Sequence, residues 1–231
     1  MLDQVTREIQ GEIPWCMIFA DDVALIGNSK EDVEEKLELW CKTLESKGFK
    51  LSRTKTDYLK CDISDSGRVE GDIMLDGQPV PRKESFRYLG SVLQSNGGIE
   101  EDIRHKTQSG WGKWRLDSDI LYDHKVPLNL KGKFYKSAIR PAMLHDAECW
   151  AINNRDTLRL KSTEMRMLRW ACGHMSHDRI RNEYVRKKLM VATIKEMLAQ
   201  HWLRWFGHLQ RRPPDAPVRV GRIMRAEERM Q

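Results

Sequence analysis

Apolar and polar residues along this chain mix strand and helix periods up to about residue 93 and keep to the helical one after it. Upstream, Ile13, Trp15, Met17 and Phe19 alternate with other positions, and Val23-Ala24-Leu25-Ile26 follows after a polar break. Short apolar runs with β-branched members predict strands, and the two-residue break predicts the tip of a hairpin spanning residues 13–27. Leu2, Val5 and Ile9 at helical spacing predict a short helical stub over residues 2–9. Ser29 reads as the N-cap of a helix with an acidic first turn, Glu31 and Asp32, which suits the helix dipole. Val33, Leu37, Trp40, Cys41 and Leu44 form its apolar stripe, and Gly48 is the C′ residue that ends it. Residues 49–62 and 72–93 return to a period of two, with Ser64–Gly71 as a polar loop. Asp76-Gly77 is a hairpin-turn dipeptide, and Phe86, Tyr88 and Leu89 fall in the strand after it.

From Ile99 onward the strand signals stop. Helices are expected near residues 99–122, 129–139 and 142–151, broken at Pro127 and Pro141. Leu158, Met165, Leu168 and Cys172 share one face of a further helix. Ile194, Met197, Leu198, Trp202 and Trp205 share a face of the last long one, which Pro213-Pro214 and Pro217 stop. The pattern predicts an α+β chain. Residues 1–93 form a small antiparallel sheet with one long helix, 94–151 and 152–212 are helical segments, and 213–231 are a flexible tail.

A length of 231 residues admits one or two domains. With 32% charged and 40% hydrophobic residues, much of the surface must be charged. The net charge of +6 is uneven: residues 1–100 hold 13 Lys and Arg against 19 Asp and Glu, and residues 151–231 hold 18 against 8. A basic, Arg-rich third is an electrostatic footprint for nucleic acid or for an acidic membrane surface. Five scattered cysteines, Cys16, Cys41, Cys61, Cys149 and Cys172, argue for a reducing compartment rather than a disulfide framework. No apolar run approaches the roughly 18 residues of a membrane span. The N-terminus also lacks the basic-then-apolar order of a signal peptide. A nuclear or cytoplasmic protein that is not secreted is the expectation.

The chemistry concentrates at Asp21-Asp22. Adjacent carboxylates at a hairpin tip repel each other, so the pair is either a solvated turn or a site for a hard divalent cation such as Mg²⁺, which takes one or two carboxylates plus substrate phosphates. Elsewhere, Trp150, Trp170, Trp202 and Trp205 are interleaved with Arg166, Arg169, Arg181, Arg186, Lys187, Lys188, Arg204, Arg211 and Arg212. The arginines and lysines are read as weak, sequence-independent contacts to nucleic-acid phosphates, and Trp202 and Trp205 as core. Cys172-x-His174-x-x-His177 does not match a standard two-plus-two zinc spacing, and Cys172 is read as core.

Several motifs now stand in one order. They are Phe19-Ala20-Asp21-Asp22 between two strands, a helix, Gly48-Phe49-Lys50-Leu51-Ser52-x-x-Lys55-Thr56, then Phe86-Arg87-Tyr88-Leu89-Gly90. Glu148-Cys149-Trp150, Met167-Leu168-Arg169-Trp170-x-Cys172-Gly173, Asp178-Arg179-Ile180-Arg181-Asn182 and Trp205-Phe206-Gly207-His208 follow. This series resembles the reverse transcriptases of non-LTR (LINE-type) retrotransposons, from the second half of the palm through the thumb to the C-terminal region. The resemblance implies an RNA-directed DNA polymerase working on an RNA template and a DNA primer. Asp21 and Asp22 would hold catalytic Mg²⁺ ions, one activating the primer 3′-hydroxyl and the other supporting the departing pyrophosphate. Lys55 would approach the phosphates of the incoming nucleotide, and Phe86, Tyr88, Leu89 and Gly90 would form the primer grip. It also implies a palm truncated at its N-terminal side, since another metal-binding aspartate and the fingers precede this hairpin in the family. Such a chain alone is expected to be inactive. Leu144-His145-Asp146-Ala147 replaces a common Tyr-Gly pair, and Arg115-Leu116-Asp117 interrupts a normally helical patch. A non-enzymatic RNA- or DNA-binding module using the basic third is the alternative.

Overall fold

Cys16–Phe19 (β1) and Asp22–Leu25 (β2) pair antiparallel, with Phe19 opposite Asp22. The computed structural model describes residues 6–10, 15–61, 71–150, 152–175, 177–213 and 216. Of the expected stub only residues 6–10 fall among these, as a single turn in which Gln10 N–H donates to Thr6 O. Residues 64–70 of the expected loop and nearly all of the expected tail lie outside them. The chain divides into two units: one runs to Phe86 and takes in Gln94–Gly97, and the other comprises Arg87–Leu93 and Gly98–Arg212. The fold is α+β, and no helix among the described residues is long and apolar enough to cross a membrane.

In the first unit the helix Lys30–Ser46 (α1) begins where Ser29 Oγ accepts the Asp32 N–H at 3.2 Å. It ends at Lys47, followed by Gly48 at φ +82°. One side of α1 packs Trp40 and Leu44 against Cys16, Ile18, Val23 and Leu25 of the hairpin. Its other side packs Val33, Leu37 and Cys41 against Ile73, Leu75 and Val80. Met74–Leu75 (β4) and Gln78–Pro79 (β5) form a hairpin whose two turn residues, Asp76 and Gly77, both have positive φ. That is the I′ turn which Asp-Gly favours.

Two expectations for this unit are corrected. Residues 49–57 do not form a strand: Lys55 N–H and the Thr56 hydroxyl both donate to Ser52 O, closing a 3₁₀ turn over Arg53–Lys55. Local side-chain bonding of this kind competes with a ladder. The sheet is also not a single antiparallel one. The described strands pair two by two, and Tyr58–Leu59 (β3) runs parallel to Arg82–Lys83 (β6).

Ser85–Tyr88 (β7) and Ser91–Gln94 (β8) make the next hairpin. Leu89, expected in the strand, is instead its first turn residue at φ +48°, with Gly90 at φ +86°. With both link residues at positive φ, this is the I′ geometry whose twist matches that of the paired strands.

The second unit is helical: Glu100–Leu116 (α2), Ser118–Tyr122 (α3), Leu128–Phe134 (α4), Arg140–Met143 (α5), Asn154–Ala171 (α6), Asn182–Leu189 (α7) and Ile194–Gln210 (α8). Residues 94–151 and 152–212 share a core, in which Trp114, Leu121, Tyr135, Ile139 and Met143 meet Leu160, Met167, Leu168, Val185 and Leu189. Pro141 does not break the chain where a break was expected. A proline inside a helix removes one hydrogen bond and presses on the carbonyl four residues back. Here Tyr135–Ile139 widens into a π turn, with Arg140 N–H reaching five residues back to Tyr135 O, and the helix runs on to Met143. The expected helix over 142–151 is a 3₁₀ turn at Ala147–Cys149, entered through Asp146 in the left-handed region.

The buried face of α6 is Asp156, Leu160, Glu164, Met165, Met167, Leu168 and Ala171, so Met165 and Leu168 lie in the core as expected while Leu158 is exposed. Glu164 lies at the centre of that face. Its carboxylate is fully buried, faces Arg140 at 2.7 Å and Arg186 at 2.6 Å, and accepts the Tyr135 hydroxyl at 3.0 Å. Burial, with Glu164 alongside, pushes the Tyr135 phenol far above its ordinary pKa. Trp202, read as core, is 51% exposed on α8 and stacks on Phe206 with ring centroids 5.5 Å apart. Its neighbours on the buried side, Ile194, Met197 and Leu198, already fill the contact with the core.

Candidate functional site

The sequence places two carboxylates on a turn with almost no room between strands. Because Phe19 pairs with Asp22, the loop consists of Ala20 and Asp21 alone. Ala20 has φ +54°, a conformation that costs a residue with a Cβ about 1 kcal/mol or more. Strained backbone of this kind persists where surrounding structure holds it, and it gathers at functional sites. Asp21 and Asp22 are both exposed, as is Phe19 beside them. Beneath the tip, Ile18 and Val23 face each other and tie the hairpin to α1 through Trp40 and Leu44. The acids therefore stand on a packed base.

The two carboxylates offer hard oxygen donors, which suit Mg²⁺ in kind. They are few in number. Among the described residues no group of three or more His, Cys, Asp or Glu side chains comes together as metal ligands. Lys55 lies exposed at the end of the Arg53–Lys55 turn. The turn is fastened by its neighbour Arg53, which pairs with Asp76 and, at 3.5 Å, with Glu45.

The four grip candidates fall on the β7–β8 hairpin. Phe86 and Tyr88 are half-buried strand residues, Leu89 is exposed, and Gly90 turns the chain. The tip of this hairpin is held by residues that sequence reasoning missed. Lys106, buried on α2, donates to Gly90 O at 2.9 Å. Asp102, one turn earlier and also buried, accepts Val92 N–H at 2.9 Å and Trp150 Nε1–H at 2.7 Å. Ser91 Oγ donates to Asp146 Oδ2 at 3.2 Å, which places the left-handed Asp146 in the same cluster. The signal available was an Asp and a Lys four residues apart, in helical phase with Ile103, Gly110 and Trp114.

The nine basic candidates separate by role. Arg169 is spent inside the protein: it donates to Asp178 O at 3.2 Å, Ile180 O at 2.6 Å and Asn182 Oδ1 at 2.9 Å, closing the loop before α7. Arg186 is spent on Glu164. These two are corrected from nucleic-acid contacts to structural cations, because buried or carbonyl-rich surroundings capture a guanidinium's several donors. Arg166 lies over the Trp111 ring at 5.4 Å and Lys188 over Tyr184 at 4.7 Å. The Tyr184 hydroxyl, hydrogen-bonded to Lys188, raises the lysine's pKa. Arg181, Lys187, Arg204, Arg211 and Arg212 are exposed, with Arg211 contacting His208 Nδ1 at 2.9 Å. Cys172 packs against the helical core, and burial raises its pKa. His174 and His177 each lie within 4 Å of Asp178.

No protein-family model, no curated protein and no solved structure matches the chain.

Proposed function

We propose that this chain carries part of the palm of an RNA-directed DNA polymerase of the non-LTR retrotransposon type, with nucleic acid as its partner. The observation that supports this reading best is the β1–β2 hairpin. Adjacent acids stand at its tip, Asp21 in the two-residue turn and Asp22 as the first residue of β2, on a base packed against a long helix. Beyond it come Lys55 and then the later hairpin turned by Leu89-Gly90, in the order that the resembling family uses. In that setting Asp21 and Asp22 would hold Mg²⁺ together with substrate phosphates, and Lys55 would neutralise charge on the nucleotide. Since the described residues bring no third ligand to the acids, polymerisation requires a further carboxylate from outside them. The chain alone is expected to bind metal weakly and to extend no primer.

The test has two readouts. In amide NMR spectra, Mn²⁺ should broaden the signals of Phe19 to Val23 in the native chain and leave them sharp in Asp21→Asn/Asp22→Asn. Unbroadened signals in the native chain would remove the acid pair from the reading. Primer extension on an RNA template should give no product. Product that disappears in the double variant would overturn the expected inactivity and uphold the polymerase assignment.

A second reading, a binding module without catalysis, is favoured by the exposed Arg181, Lys187, Arg204, Arg211 and Arg212 and by the outward-facing Trp202.

A further inference from the structure

Helix α6 sorts its charges by face. Both of its acids, Asp156 and Glu164, are fully buried. Arg155, Arg159 and Arg166 are exposed. At about 100° per residue these three lie within about 40° of one another around the axis, spread over about 16 Å of its length. None of them forms an ion pair with a described carboxylate. The one contact among them is Arg166 over the Trp111 ring. One turn beyond Arg166, and on the same face, stands Trp170, 37% exposed. It packs edge-on against Trp111 with centroids 5.5 Å apart, and Tyr122, 46% exposed, lies 6.3 Å from it at a tilt of 43°. The face is a row of guanidinium groups leading to a pair of open aromatic rings.

Arg155 and Arg159, four residues apart, repel each other on the isolated helix, and an ordinary solvated helix face mixes signs. The arrangement suits a ligand with repeated negative charges and flat rings. Phosphates satisfy arginines without regard to sequence, and any base stacks on an open aromatic face. We propose that this face of α6 is a track for single-stranded nucleic acid, with phosphates on Arg155, Arg159 and Arg166 and a base stacked on Trp170 and Tyr122. The proposal rests on the nucleic-acid half of the reading above and is independent of the acid pair.

The test is fluorescence anisotropy of the whole chain with labelled 15-nucleotide oligo(dT) and oligo(U), each titrated over a range of salt. The variants are Arg155→Gln/Arg159→Gln/Arg166→Gln, the same three positions changed to Lys, Trp170→Ala, and the control Arg204→Gln/Arg211→Gln/Arg212→Gln. All the substituted side chains are exposed, and far-UV circular dichroism checks that each variant folds. Three single-strand phosphate contacts correspond to a slope of about 2 in log K against log salt. The Gln variant should lose about that much slope and the Lys variant should keep it. Trp170→Ala should bind about 5- to 150-fold more weakly at unchanged slope. If the native chain binds and the Gln variant matches it while the control loses affinity, the track is refuted and nucleic-acid binding stands. If the native chain binds neither oligonucleotide, both fall together. Binding to phosphatidylserine vesicles alone, lost in the Gln variant, would assign the row to a membrane surface and refute the track.

Discussion

Glu164→Gln tests the reading of the helical core most directly. In the native protein one buried carboxylate meets two guanidinium groups at 2.7 and 2.6 Å and takes a phenol hydrogen bond at 3.0 Å. The amide keeps the volume and removes the charge, so Arg140 and Arg186 face each other in a site where Glu164 is fully buried and the Arg140 side chain is 5% exposed. Removing one partner of a buried ion pair costs about 3–5 kcal/mol, because the charge left behind is uncompensated. A domain holds only about 5–15 kcal/mol in total, so this single change should remove much of the helical unit's stability. In urea, with a slope of about 2 kcal/mol per molar, the midpoint followed by far-UV circular dichroism should fall by about 2 M. A fall of less than about 0.5 M would show that water reaches the cluster, and the account of a dry charged core would fail. Replacing all three residues with methionine should recover most of the loss, since well-packed apolar groups often match a buried ion network.

Gly132→Ala should be at least as damaging, because a Cβ there would sit 1.8 Å from the Leu189 backbone oxygen. Overpacking costs about 1–3 kcal/mol and more when the obstacle is backbone, so loss of the cooperative transition in a thermal melt is expected. His105 gives a pH signature. Burial, then Arg87 and Lys106, lower its pKa, so the unfolded chain binds the proton more readily than the folded one. Stability should be full above the ordinary histidine pKa of about 6.5 and should fall as pH drops through the folded value. His105→Gln should flatten that fall in urea midpoints measured from pH 8 to pH 5.

The features legible in the sequence were local ones. Ser29 and Gly48 bracket α1 because capping depends on a few adjacent residues, and Asp76-Gly77 declares its turn because few other pairs take positive φ twice. Alternation around Asp21-Asp22 located the hairpin but set its tip one residue late: the turn is Ala20-Asp21, and Asp22 pairs with Phe19. What stayed hidden needed partners far along the chain. Asp102, Lys106 and Glu164 look like surface residues until the backbone and side chains that satisfy them arrive from 10 to 48 positions away. The same holds for the parallel pairing of Tyr58–Leu59 with Arg82–Lys83. Trp202 shows the opposite error, in which an apolar side chain with helical phasing is assigned inward although the core was already full.

The grip on Gly90 and Val92 by Lys106 and Asp102 also says where the protein can be cut. A helical piece excised from Gly98 onward would keep both ions in the interior while losing the carbonyl and amide that neutralise their cost, and it should precipitate or melt without cooperativity. A piece that starts at Ser85 carries its own hairpin and should survive as an independent body.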